Sequence, residues 1–143
     1  MNGADFSDCN LTGQNFSNLD LSYAIFDGAD LSGVNFTDAD LRCVSMWSEP
    51  LLGQTKAANI EGALCVRTKL QCVDLREVNC RKVDFTGANL TNCVLPHIAD
   101  IRMGGANLQS AIMIRVSRDQ MEAGQAQPRR ESKIGGFKLP FGL

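Results

Sequence analysis

Aromatic residues make up only 6% of this 143-residue chain, with one Trp, one Tyr and a single His. The lone His97 cannot build a His-based catalytic triad or a His-rich metal site. No GxxxxGK(S/T) phosphate loop, HExxH pair or CxxC pair occurs. No apolar run approaches the roughly 18 residues of a membrane span. The start, Met1-Asn2-Gly3-Ala4-Asp5, lacks the basic and apolar regions of a signal peptide. These absences lead us to expect a soluble, cytoplasmic, non-enzymatic chain that uses no cofactor or metal. The net charge of −2 argues for neither nucleic-acid binding nor a polyanion mimic, and no direct nucleic-acid contact is expected.

What the chain does have is a period of five. Phe6, Leu11, Phe16, Leu21, Phe26, Leu31, Phe36, Leu41 and Met46 are all large and apolar. Two residues before each lies a small or apolar residue, Gln14 excepted, and between the two stands Asp or Asn in seven of nine repeats. The pattern resumes in a shifted register from Ile60 to Leu95, and again at Met103, Leu108 and Met113. A period of five fits neither a helix nor a flat strand. It reads as a short extended segment with two side chains on one face, followed by a bend. A chain that always turns the same face inward must coil into a solenoid whose coils cover one another.

Runs such as Gly28-Ala29-Asp30-Leu31-Ser32-Gly33 and Thr86-Gly87-Ala88-Asn89-Leu90-Thr91 resemble the A(D/N)LXX signature of pentapeptide-repeat proteins. The resemblance covers residues 4–114. It implies an all-β fold, a right-handed four-sided β-helix of about five coils. Periodicity alone leaves two sides or four open. Four would stack Phe6 on Phe26, Leu11 on Leu31, Phe16 on Phe36 and Leu21 on Leu41.

Two interruptions, near 48–57 and 96–100, shift the register. Pro50 and Pro96 cannot donate to a coil-to-coil ladder, so both stretches are expected to leave the rod as bulges or loops. Trp47 adjoins the first in an outward slot; it is either an interaction anchor or packed beneath its own loop. The repeats begin within the first residues without a cap, which leaves two readings: a longer chain, or an end covered by another subunit. Beyond the repeats, residues 117–143 predict a short capping helix near 118–123, with Ser117-Arg118-Asp119-Gln120 as its capping box. A polar, linker-like stretch follows over 125–133. Alternating Phe137, Leu139, Phe141 and Leu143 then form an extended segment with one apolar face, expected to dock on its own rod or on a twin.

By register Cys9, Cys65, Cys80 and Cys93 point inward as small hydrophobes, whereas Cys43 and Cys72 point outward, where they are reactive or pair between molecules. All six are expected as free thiols. The sequons at Asn10, Asn15, Asn35 and Asn89 read as repeat grammar, not as glycosylation sites. Residues 1–50 carry a net charge of −7, residues 51–114 of +2 and residues 115–143 of +3. Four-sided stacking would place Asp20 on Asp40, with Asp5, Asp8 and Asp27 on the adjoining side. The candidate interaction surface is therefore Asp5, Asp8, Asp20, Asp27, Asp40, Trp47, Phe137, Leu139 and Phe141.

Two functions fit. The first is a rigid scaffold that presents its surface to a protein partner, with no membrane contact; a homodimer through a solenoid end or the tail is one arrangement. The second is an acidic DNA mimic. The resemblance implies it, since some bacterial members of the family are acidic dimeric rods that bind DNA gyrase.

Overall fold

A computed structural model describes residues 1–49, 53–96, 101–115 and 129–134. Parallel bridges join residues twenty apart, Asp5 to Ile25 to Ser45 and Asp20 to Asp40, so four repeats complete each coil. The ladder is reciprocal: the Phe6 N–H donates to the Ile25 carbonyl at 2.7 Å and the Ile25 N–H to the Ala4 carbonyl at 2.9 Å. The sides that start from Asn15 and Asp20 rise through five coils, the Asn10 side is described through four, to Asn79, and on the Asp5 side Ile112 opens a sixth. At about 4.8 Å per coil the stack is roughly 20–25 Å long.

Each bend is a four-residue turn closed by a backbone hydrogen bond, as from Cys9 N–H to the Phe6 carbonyl at 3.1 Å. In the described turns other than Leu75–Val78 the third residue has positive φ, the pattern of a type II turn, as in Asp8 at 59°, Asn18 at 62° and Gly28 at 77°. The Asp or Asn slot supplies the clamp. Asn10 Oδ1 accepts from the Thr12 N–H at 3.2 Å, Asn15 from Ser17 at 3.0 Å, Asn35 from Thr37 at 3.0 Å and Asn89 from Thr91 at 3.1 Å. These Asx turns explain why Asn-X-Ser/Thr recurs: the side-chain oxygen satisfies the turn N–H two residues on.

The inward slots build one core from Phe16 to Met113. Phe6 stacks on Phe26 with centroids 5.3 Å apart and planes 9° apart, and Phe16 on Phe36 at 5.9 Å and 23°. Thr68, a polar occupant of a small slot within the core, is fully buried and donates from Oγ1 to the Phe36 carbonyl at 2.7 Å. In the first coil Phe6, Cys9 and Leu11 are only half-buried, because nothing described stacks on their far side. The same exposure lets Gln14 stand where the repeat otherwise puts a small residue.

The first interruption is a nine-residue insertion: the bridges Asp30–Asn59, Asn35–Leu64 and Asp40–Lys69 span twenty-nine residues instead of twenty. Its two legs, β1 (Trp47–Ser48) and β2 (Lys56–Ala57), pair antiparallel, and the Ala58 N–H returns to the Met46 carbonyl at 2.7 Å. The second interruption differs from the expectation. It shortens its coil, since Asp84 bridges Arg102 and Asn89 bridges Asn107, eighteen residues apart. Pro96 does not leave the rod: it ends β3 (Val94–Pro96), opposite Ile114 of β4 (Ala111–Arg115). A strand's last position tolerates a missing N–H, because the ladder no longer requires it.

The stretch 125–133, read as a linker, also departs from expectation. β5 (Arg129–Ile134) pairs antiparallel with β4, with a register shift between Met113 and Ile114. The last coil leaves a row of unpaired backbone groups, and backbone pairing at such an edge does not demand apolar side chains. The expected helix near 118–123 and the segment Phe137, Leu139 and Phe141 lie outside the described residues.

Candidate interaction surface

The outward residues form ladders, and their register decides which charges meet. Asp20 lies on Asp40, followed by Lys69, Asn89 and Asn107. Asp5 heads the adjoining side, followed by Ile25 and Ser45, whose hydroxyl donates to Asp27 Oδ1. Between these two sides projects Tyr23, 62% exposed and held at φ 65°. A bulky residue in the left-handed region is strained, and strain tends to be kept where a side chain must be presented. Sequence reasoning missed Tyr23, although its register marks it as an outward turn residue.

Several acids are neutralised from distant parts of the chain. Lys56 Nζ of β2 lies 2.9 Å from Asp8 Oδ2. Arg67 Nε is 2.9 Å from Asp38 Oδ1, whereas Asp40 is paired locally, with Arg42 Nη2, two residues on, 2.6 Å from its Oδ2. Asp5, Asp20, Asp27 and Asp30 form no ion pair among the described residues. The segment charge of −7 thus overstates the field of the N-terminal half, because coil stacking brings middle-coil bases against it.

The carboxyls of Asp5, Asp20 and Asp30 are held below the usual carboxylate range, chiefly by the Ser7, Ser22 and Ser32 hydroxyls and then by the N–H groups of those serines. In Asp20 the neighbouring Asp40 charge opposes this. Asp38 and Asp40 are lowered first by their arginine hydrogen bonds. All five carry negative charge at neutral pH.

Trp47 is half-buried and packs on the core, with the Arg76 guanidinium 5.1 Å from its ring centroid. Arg76 also donates to Asp74 Oδ2 at 2.7 Å. Beside Trp47 the ladder is open: bridges link Ile25 to Ser45 and Asp74 to Val94, but none joins Ser45 to Asp74. A recess of about 300 Å³ occupies this gap, bordered by Cys43, Trp47, Cys72 and Asp74. A second, of about 340 Å³, lies among Leu64, Lys82, Asp84 and Arg102. Among the described residues no group of three metal-ligating side chains converges, and no helix is long and apolar enough to cross a membrane. Cys65, Cys80 and Cys93 are buried, which raises their thiol pKa values, for Cys80 and Cys93 to about 12.

The pattern that defines pentapeptide repeats matches residues 1–46 and 57–96, in eight copies. No curated protein matches the chain. Among solved structures, a pentapeptide repeat protein from the Arabidopsis thaliana thylakoid lumen is 28% identical, over 85% of this chain and 71% of that one, with a TM-score of 0.28. Rfr23 from the cyanobacterium Cyanothece 51142 is 18% identical over 74% and 84%, with a TM-score of 0.34. Full-length QnrB1, a plasmid-mediated fluoroquinolone resistance protein, is 19% identical over 83% and 70%, with a TM-score of 0.25.

Proposed function

This chain belongs to the pentapeptide-repeat family, and on that premise we propose that it is a non-enzymatic scaffold whose outer surface binds a protein partner. The observation that carries this reading is the division of labour within each repeat. Inward slots fill the rod with packed apolar side chains, while outward slots hold stacked polar ladders at fixed spacing. The right-handed, four-sided coil typical of the family makes that spacing rigid. Recognition centres on Tyr23, flanked by Asp20 on one side and by Asp5 and Asp27 on the other, and so favours a partner with a basic, aromatic-accepting face. Six free thiols fit a reducing, cytoplasmic setting. Affinity capture with the full chain and with a chain ending at Val116 tests the assignment. Equal capture by both places recognition on the rod; loss with the shorter chain, still folded by circular dichroism, places it on residues 117–143.

A second reading, DNA mimicry towards a gyrase, is favoured by the stacking of Asp20 on Asp40. It is weakened by the pairing of Asp8, Asp38 and Asp40 with Lys56, Arg67 and Arg42, which breaks the run of unbalanced negative charge a duplex would present. Dose-dependent inhibition of gyrase supercoiling at low micromolar protein supports mimicry; no effect on several gyrases removes it.

A further inference from the structure

The turn between the Asp20 and Asp5 sides repeats once per coil, and its third residues form one vertical column. Backbone hydrogen bonds fix the stacking: Tyr23 N–H donates to the Arg42 carbonyl, Cys43 N–H to Gln71 and Cys72 N–H to Thr91, at 2.9, 3.1 and 3.0 Å. Cys43 and Cys72 are therefore direct neighbours on consecutive coils, although the nine-residue insertion separates them by twenty-nine positions in sequence. Both are exposed, both adopt left-handed backbone, at φ 57° and 66°, and both border the recess beside Trp47. The three fully buried cysteines are shielded from any reagent.

We infer that Cys43 and Cys72 are a redox-responsive pair that closes into a reversible intramolecular disulfide across the third and fourth coils. A coil spacing of about 4.8 Å falls within the roughly 4.4–6.8 Å between Cα atoms that a disulfide requires. The oxidant is a small-molecule disulfide such as oxidised glutathione. One protein thiolate attacks it, forming a mixed disulfide and releasing one glutathione thiolate. The second protein thiolate then attacks the protein sulfur of that mixed bond and releases the other. Two protein thiols become one disulfide, two glutathione thiols are formed, and the two protons pass to the leaving thiolates. The bond bridges the place where the Ser45–Asp74 ladder link is missing, next to the column position of Tyr23. Closure would thus brace the rod beside its exposed tyrosine.

Native full-length protein incubated with oxidised glutathione, blocked with iodoacetamide and digested with trypsin tests this. The expected product joins peptide 43–56 to peptide 70–76, with both free thiols lost together and at least tenfold more cross-link than glutathione adduct on either peptide. Cys43→Ser should leave a stable glutathione adduct on Cys72, and Cys72→Ser one on Cys43; both replacements sit at exposed turns outside the core. Persistent adducts on both cysteines of the parent would overturn the inference. So would a bond from peptide 70–76 to peptide 83–102, which carries Cys93, a bond between two chains, or no reaction at either site.

Discussion

Lys56 Nζ donates to Asp8 Oδ2 at 2.9 Å, across 48 positions of sequence, and ties the hairpin legs to the first coil. The contact passes over Gly28, where a Cβ would collide with the Asp8 carboxylate and would sit 3.6 Å from Lys56 Cβ. On the other leg, Trp47 lies under Arg76 of the fourth coil. The two described legs of the insertion therefore reach opposite ways along the rod, one to the first coil and one to the fourth.

Two glycines separate crowding from backbone strain. Gly28 and Gly33 both have positive φ, 77° and 67°, but a Cβ at Gly33 meets nothing within 4 Å. Gly33→Ala should cost about 1 kcal/mol from the left-handed backbone alone. Gly28→Ala should cost more and also displace Asp8 from Lys56. Urea denaturation of both variants, each with and without Lys56→Ala, checks this: only the Gly28 variant should be insensitive to losing Lys56.

Core position along the rod should set the cost of truncation. Phe36 is fully buried between neighbouring coils, whereas Phe6 of the first coil is half-buried. Phe36→Ala should lose about 3–5 kcal/mol and Phe6→Ala clearly less, measured by denaturant unfolding.

Thr68 should tolerate loss of its hydroxyl moderately. Its Oγ1 bond to the Phe36 carbonyl is buried, but that carbonyl also accepts from the Ala39 N–H at 2.9 Å. Thr68→Val should cost about 1 kcal/mol in the same assay, the net worth of one hydrogen bond.

The Asx turns predict an acid-labile rod. Asp5, Asp20, Asp30, Asp40 and Asp84 all have folded pKa values below their ordinary value of 3.8, and so below their unfolded values. Their stabilisation is fully present above the unfolded pKa and is lost as pH falls through the lower folded values. Melting temperature should be flat from about pH 7 to 5 and fall below about pH 4. Replacing all five by Asn, which keeps the Oδ1 acceptor, should flatten that fall.

Much of this architecture was legible in the sequence, because every fifth residue from Phe6 to Met46 obeys one rule imposed by core volume. Period ten in Phe and Leu left the number of sides open; the bridge from Asp5 to Ile25 settles four repeats per coil. Four repeats then explain why Phe6 and Phe26 stack. Long-range neighbours were harder to read. The pairing of Asp38 with Arg67, and the stacking of Cys43 on Cys72, depend on the length of the insertion between them, which periodicity cannot supply. β5 escaped notice because edge pairing is made by backbone, and Arg129–Ile134 carries no apolar alternation to signal it. Tyr23 was passed over because the period fixes the inward slots and does not distinguish one outward turn position from another.

The claim that the outer ladder around Tyr23 is the working surface is tested most directly by a variant carrying Asp5→Asn, Asp20→Asn, Asp27→Asn and Tyr23→Asn. Asn keeps the turn acceptors and suits left-handed backbone, so circular dichroism and melting temperature should match the parent. Quantitative affinity capture should then show at least a tenfold loss of the partner retained by the parent; undiminished retention by the folded variant would contradict the account.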